Sequence, residues 1–134
     1  MKKFITILFL TFLCLGLKAQ NVKTSTIQWS SIRTIDGSKG ENKDEVTTLT
    51  NFSTTRFEWT NEDGSLRKTY QIIEVVGNWT NAATPGSLTF EVTDGTSSGT
   101  ITIRKDDNQN TNVLMVIGTD PQITELTIQS LQAL

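Results

Sequence analysis

The residues best suited to chemistry in this chain are Arg33, Trp59, Lys68 and Tyr70. Three of them fall in one stretch, "TTRFEWTNEDGSLRKTYQII" (residues 54–73). A hairpin loop of two or four residues around Asp63-Gly64 sets Phe57 and Trp59 on the same face as Leu66, Lys68, Tyr70 and Ile72. It also puts Glu58 across from Arg67 or Thr69. An odd loop would turn the apolar set outward, so burial selects the even one. Glu74 then shares the face of Tyr70 and Ile72, and Arg33 follows Ile27 and Trp29 at even spacing. Buried charges must pair or change protonation. Three arrangements satisfy that rule: a wet rim, a Lys68–Glu74 or Arg33–Glu74 pair, or a cation reading a ligand carboxylate beneath an aromatic wall. The ligand-binding set expected from sequence is therefore Trp59, Lys68, Tyr70 and Arg33.

Other chemistries lack their residues. The chain has no His and one Cys, Cys14. Ser-His-acid triads, Cys-His nucleophiles and His- or Cys-bound zinc are thereby excluded. "DGSKGE" has two glycines in a turn-like loop and no helix to follow, which is no phosphate loop. In "DDNQN", Asp106, Asn108 and Asn110 are spaced like the first ligands of a calcium loop. Thr111 stands where Gly is required and Ile117 where the closing Glu belongs, so a polar turn is expected and no metal. The chain reads as non-catalytic and without a cofactor. "NFS" at Asn51 and "NWT" at Asn78 match the glycosylation acceptor pattern.

The first residues set the compartment. Met1 to Lys3 are cationic, Phe4 to Leu17 are largely apolar, and Lys18, Ala19 and Gln20 end the run. This is the layout of a secretory signal, too short to span a bilayer comfortably. Leu17 and Ala19 suit the cleavage pocket, so residues 1–19 are expected to leave. Lipidation at Cys14 is not expected, because Phe12 and Leu13 stand where small residues are needed. The product is periplasmic or secreted, with no membrane anchor.

Cleavage takes 19 residues from 134 and leaves 115. It removes Lys2, Lys3 and Lys18 from 12 basic residues and leaves 14 acidic ones, so the net charge falls to −5. That balance argues against nucleic acid as a partner. Without cysteine, the remaining domain (residues 20–134) must hold together through its core, and its length suffices for one core.

Those side chains need positioning elements. Apolar residues alternate, Thr is abundant, and turn clusters recur: "NEDGS", "GNWTNAATPG", "DGTSSG", "DDNQN" and "GTDPQ". Candidate strands lie near 25–35, 45–51, 54–60, 66–76, 87–93, 100–105, 112–118 and 123–130. Eight short strands make an all-β antiparallel barrel or, alternatively, a β-sandwich. A tight turn at Thr96-Ser97 sets Val92 against Ile101 and Phe90 against Ile103. "YQIIEVV" and "VLMVI" are apolar on both faces. Either a second sheet or the "SLQAL" segment covers the outer one, or it is a patch for a homodimer or protein partner, with Ile73, Val75 and Met115 as its residues.

With its leader, its eight strands and the Trp of "IQWSSIR", the chain resembles the small bacterial lipocalin-like (calycin) barrels. Ile27 stands where that family usually has Gly, and "ITELTIQSLQAL" lacks the family's late Arg and C-terminal helix. The resemblance implies an extracytoplasmic eight-stranded barrel that holds a small apolar or amphipathic ligand, with Trp29 as a structural plug. The interior of such a barrel is either filled by side chains or open to one small molecule. Both readings stand on sequence alone. The first makes the chain a binding module. The second makes it a structural or interaction domain acting through its outer strands.

Overall fold

The computed structural model describes residues 21–134, so the leader and its cleavage site lie outside the described residues. Eight antiparallel strands run in chain order: β1 (Thr26–Asp36), β2 (Glu41–Phe52), β3 (Arg56–Asn61), β4 (Leu66–Val76), β5 (Gly86–Thr93), β6 (Ser98–Lys105), β7 (Thr111–Ile117) and β8 (Gln122–Ala133). Each pairs with its neighbours, and β8 pairs with β1, closing the sheet into a barrel. Of the two all-β architectures open to the sequence, the barrel is the one adopted. Closure leaves no unpaired sheet edge, which removes the template for edge-to-edge aggregation.

Alternation decides the inside. Ile27 and Trp29 of β1, Leu49 of β2, Phe57 of β3, Leu88, Phe90 and Val92 of β5, Ile101 and Ile103 of β6, and Val113 of β7 are fully buried. Most of their neighbours in sequence are partly or fully exposed, Thr50 of β2 being buried as well. Phe57 and Phe90 meet edge to face at 4.8 Å, the geometry aromatic quadrupoles prefer. This core fills the middle of the barrel.

The β3–β4 hairpin has the expected register: Phe57 opposes Tyr70, Glu58 opposes Thr69, and Trp59 opposes Lys68. The β5–β6 hairpin keeps its expected apolar face but slides by two residues. Phe90 opposes Ile101, Leu88 opposes Ile103, and Val92 opposes Gly99. Asp94 causes the difference. Its Oδ1 accepts the amides of Thr96 and Ser97 at 2.9 and 2.7 Å, building a four-residue loop where a two-residue turn was expected. Gly99 then makes room, since a Cβ there would lie 2.0 Å from the Val116 carbonyl.

Bulges overturn three placements made from simple alternation. The register of β1 shifts between Ser31 and Arg33. Thr34 consequently opposes the buried Leu126, and Arg33 falls on the outer face with Thr127. On β4 the register shifts between Ile72 and Glu74. Val75 then opposes Phe90 and packs on the core, while Glu74 turns to water. A bulge adds one residue to one strand, and every side chain beyond it changes face.

The outer apolar surface differs accordingly from the expected patch. Ile73 is 63% exposed, but Val75 packs inward and Met115 is buried in the barrel. These three therefore do not form one surface. Nor does "SLQAL" cover the outside: Leu131 and Ala133 continue β8 and pair with Trp29 and Ile27. The exposed apolar residues are scattered instead: Ile32 on β1, Val46 on β2, Leu66, Ile73 and Val76 on β4, Leu114 on β7, Ile123 on β8 and the terminal Leu134.

Candidate functional site

The two ends of the barrel are built differently. At one end lie the short hairpin loops 37–40, 62–65, 94–97 and 118–121. Each contains a glycine at positive φ (Gly40, Gly64, Gly95 and Gly118, 70° to 96°), where other residues are strained. At the other end, the segment before β1 and the 77–85 loop fold inward. Val22 and Trp79 are buried there, and the Val22 amide donates to the Trp79 carbonyl at 3.0 Å. The first end is a mouth and the second a sealed base.

Trp29 belongs to the base. It stacks on Trp79 with centroids 5.9 Å apart, and its Nε1 donates to Asn51 Oδ1 at 2.7 Å. The Asn51 amide in turn donates to the Ser25 carbonyl at 3.0 Å. The role of plug expected for Trp29 fits this packing. Asn51 is fully buried, so this "NFS" pattern presents no accessible acceptor in the folded chain.

The mouth opens into a cavity of about 520 Å³, within the ~300–1,000 Å³ typical of small-molecule sites. Trp59, Lys68 and Tyr70 all line it, as the β3–β4 parity requires, and Met115 and Ile117 extend the apolar wall. Ser97, Gln122 and Thr124 add polar groups near the opening. Arg33 does not line it. It sits on the outer face, 2.9 Å from Asp44 Oδ1.

Arg67 does line it, and alternation did not point there. Trp59 opposes Lys68 while Thr60 opposes Leu66, so Arg67 is the extra residue of a bulge. The bulge turns two consecutive cations toward one cavity. The Arg67 guanidinium lies 4.1 Å from the Trp59 ring centroid, and its Nη1 donates to Glu45 Oε1 at 2.8 Å. Arg67 thus makes a cation–π contact with Trp59.

Lys68 has a partner other than those anticipated. Its Nζ lies 2.9 Å from Asp94 Oδ2, and that carboxylate side chain is 11% exposed. The amide of Ser97, then Lys68 and the amide of Thr96, hold the Asp94 carboxyl well below its ordinary range. The Asp94 hydrogen bond raises the Lys68 pKa in return. Burial works to raise Glu45, but hydrogen bonds led by that of Arg67 outweigh it and leave its pKa lowered. Burial raises the Tyr70 hydroxyl. Two ion pairs therefore stand at the mouth, both charged at neutral pH.

Uncharged polar groups are also buried in the interior. Trp59 Nε1 and the hydroxyls of Thr47 and Thr34 are buried without a hydrogen-bond partner. Leaving such a group dry costs about 1–3 kcal/mol. Thr47 opposes the buried Ser31, and Thr34 opposes Leu126, so both face the interior. The "DDNQN" loop lies at the base, where Asp106 Oδ1 accepts the amides of Asn108 and Asn110 at 2.9 and 3.0 Å. Among the described residues no group of three acidic, His or Cys side chains is placed to hold a metal.

No protein-family model, curated protein or solved structure matches this chain.

Proposed function

We propose that this chain is an exported, lipocalin-like, non-catalytic binding module that holds a small amphipathic ligand in the mouth of its barrel. The observation that carries the reading is the open-ended cavity of about 520 Å³, with Trp59, Tyr70 and Met115 as apolar wall and Arg67, Lys68 and Asp94 at the opening. A barrel that served only as a scaffold would fill both ends as it fills the base, because a packed interior is the more stable arrangement. Here bulky groups seal one end, and a bulge directs charge into the other. The apolar leader of residues 4–17 supports export to the periplasm or the medium.

The rival reading is an interaction domain that works through Ile73 and Val76, which stand 63% and 53% exposed on the outside of β4. The two readings separate in one set of measurements. Amphipaths with eight-carbon tails should change tryptophan emission saturably, because Trp59 lines the cavity while Trp29 and Trp79 lie at the base. The protein should sediment as a monomer at the same concentrations. Absence of saturable change, with self-association abolished by Ile73→Lys, would replace the binding reading with its rival.

A further inference from the structure

The charge arrangement at the mouth restricts what a ligand's polar head can be. Arg67 and Lys68 are two cations, and Glu45 and Asp94 are their two carboxylates, at 2.8 and 2.9 Å. These four charges sum to zero, and the two others beside them cancel: exposed Lys43, 3.3 Å from Glu45 Oε2, adds a positive charge and Asp120 on the rim a negative one. A ligand carboxylate entering this mouth would gain no uncompensated cation. It would have to displace Asp94 or Glu45, each already held by its own partners. Depressed carboxyl pKa values keep both residents charged, so the balance persists through neutral and mildly acidic pH.

Hydrogen-bonding groups are plentiful around those charges. The Tyr70 hydroxyl makes no hydrogen bond among the described residues, and Ser97, Gln122 and Thr124 offer both donors and acceptors. A group that both donates and accepts can join such a ring without breaking either ion pair. A carboxylate only accepts. We infer that the ligand head is neutral and hydroxyl-rich, as in a sugar or polyol, with its apolar body directed toward Met115 and Ile117. This inference rests on the binding reading above and names the class of ligand for the same cavity. It replaces the carboxylate head expected when Lys68 was taken as an unpaired cation.

Octyl glucoside and octanoate provide the test, since they share an eight-carbon tail and differ in the head. Each is titrated against the mature chain below its micellar concentration, with tryptophan emission and calorimetry as readouts. Octyl glucoside should bind at least roughly tenfold more tightly. Asp94→Asn leaves Lys68 uncompensated while its Oδ1 still accepts the loop amides, so octanoate affinity should rise roughly tenfold with little change for octyl glucoside. Glu45→Gln frees Arg67 in the same way and provides a second variant should the 94–97 loop not tolerate the first. Tighter octanoate binding by the unmodified chain would overturn the neutral head and leave a binding module in place. Saturable binding of neither compound would overturn both. Octanoate affinity unmoved in both variants would remove the charge-balance argument.

Discussion

The base and the mouth of this barrel use the same strands for opposite ends. At the base, Trp29, Trp79, Val22 and Ala82 close the interior, and Asn51 links the Trp29 indole to the Ser25 carbonyl of the segment before β1. None of these side chains ionises. At the mouth, β2 supplies Glu45, β4 supplies Arg67 and Lys68, and the 94–97 loop supplies Asp94, around a space that side chains leave open. Loop length accounts for part of this contrast. The 77–85 connection is long enough to fold back and insert Trp79, whose Nε1 donates to the Thr84 carbonyl at 2.9 Å. The mouth hairpins turn within four residues and cannot reach inward. Packing is concentrated at one end, and open space is left at the other.

Removing a tryptophan from each end tests that division, and it is where the largest effects are expected. Trp29→Ala should cost about 3–5 kcal/mol, because its cavity would be closed to water and would strand Asn51. Trp59→Ala should cost about 3 kcal/mol, the low end of the range, since its space joins a cavity that water already enters. Urea midpoints with unchanged slopes give the comparison. Equal losses would mean that the mouth is packed as tightly as the base.

The register behind that prediction was legible in the sequence wherever alternation ran unbroken. Phe57, Trp59, Lys68 and Tyr70 could be placed because burial allows only one parity for the β3–β4 hairpin. Arg33, Glu74 and Val75 were misplaced for a common reason: each lies beyond a bulge. A bulge inserts one residue without any change in composition, so a pattern of period two carries no record of it. Arg67 was missed for the same reason, being the extra residue itself. Trp79 was hidden differently. It sits in the turn cluster "GNWTNAATPG", and its burial depends on a fold-back that only the closed barrel creates. Lys68 was placed correctly and its partner was not, because Asp94 reaches it from the neighbouring β5–β6 loop.

Glu58 gives a smaller effect that sharpens the inside-outside assignment. It opposes Thr69 on the outer face and lies 3.3 Å from Arg56 in a solvent-screened ion pair. Glu58→Ala should cost under about 1 kcal/mol. Denaturation beside Trp59→Ala, one residue away, checks it. Similar costs for the two would place Glu58 in the core and shift the hairpin register by one.

The smallest expected effect is one of pH, and it should appear at one end only. Asp94 and Glu45 have ordinary values of 3.8 and 4.5, and both are lowered in the folded chain. A lowered carboxyl pKa means that the folded state binds fewer protons than the unfolded one. Its contribution is therefore complete above the ordinary value and is lost as pH falls through the folded value. Lys68 works in the other direction: its raised pKa keeps the pair with Asp94 charged until pH rises beyond about 10.5. The mouth should then hold its geometry across the neutral range and loosen only below the ordinary carboxyl value of 4.5, the Glu45 pair before that of Asp94, which is held further down. The base has no ionisable group in the Trp29–Asn51–Trp79 cluster to respond. Indole N–H resonances followed from pH 6 to pH 3 read the two ends separately. The Trp59 signal should move as its Arg67–Glu45 neighbours lose their pairing, while those of Trp29 and Trp79 stay fixed. Movement of all three with one midpoint would mean that the ends unfold as a unit, and the division between them would not extend to their acid response.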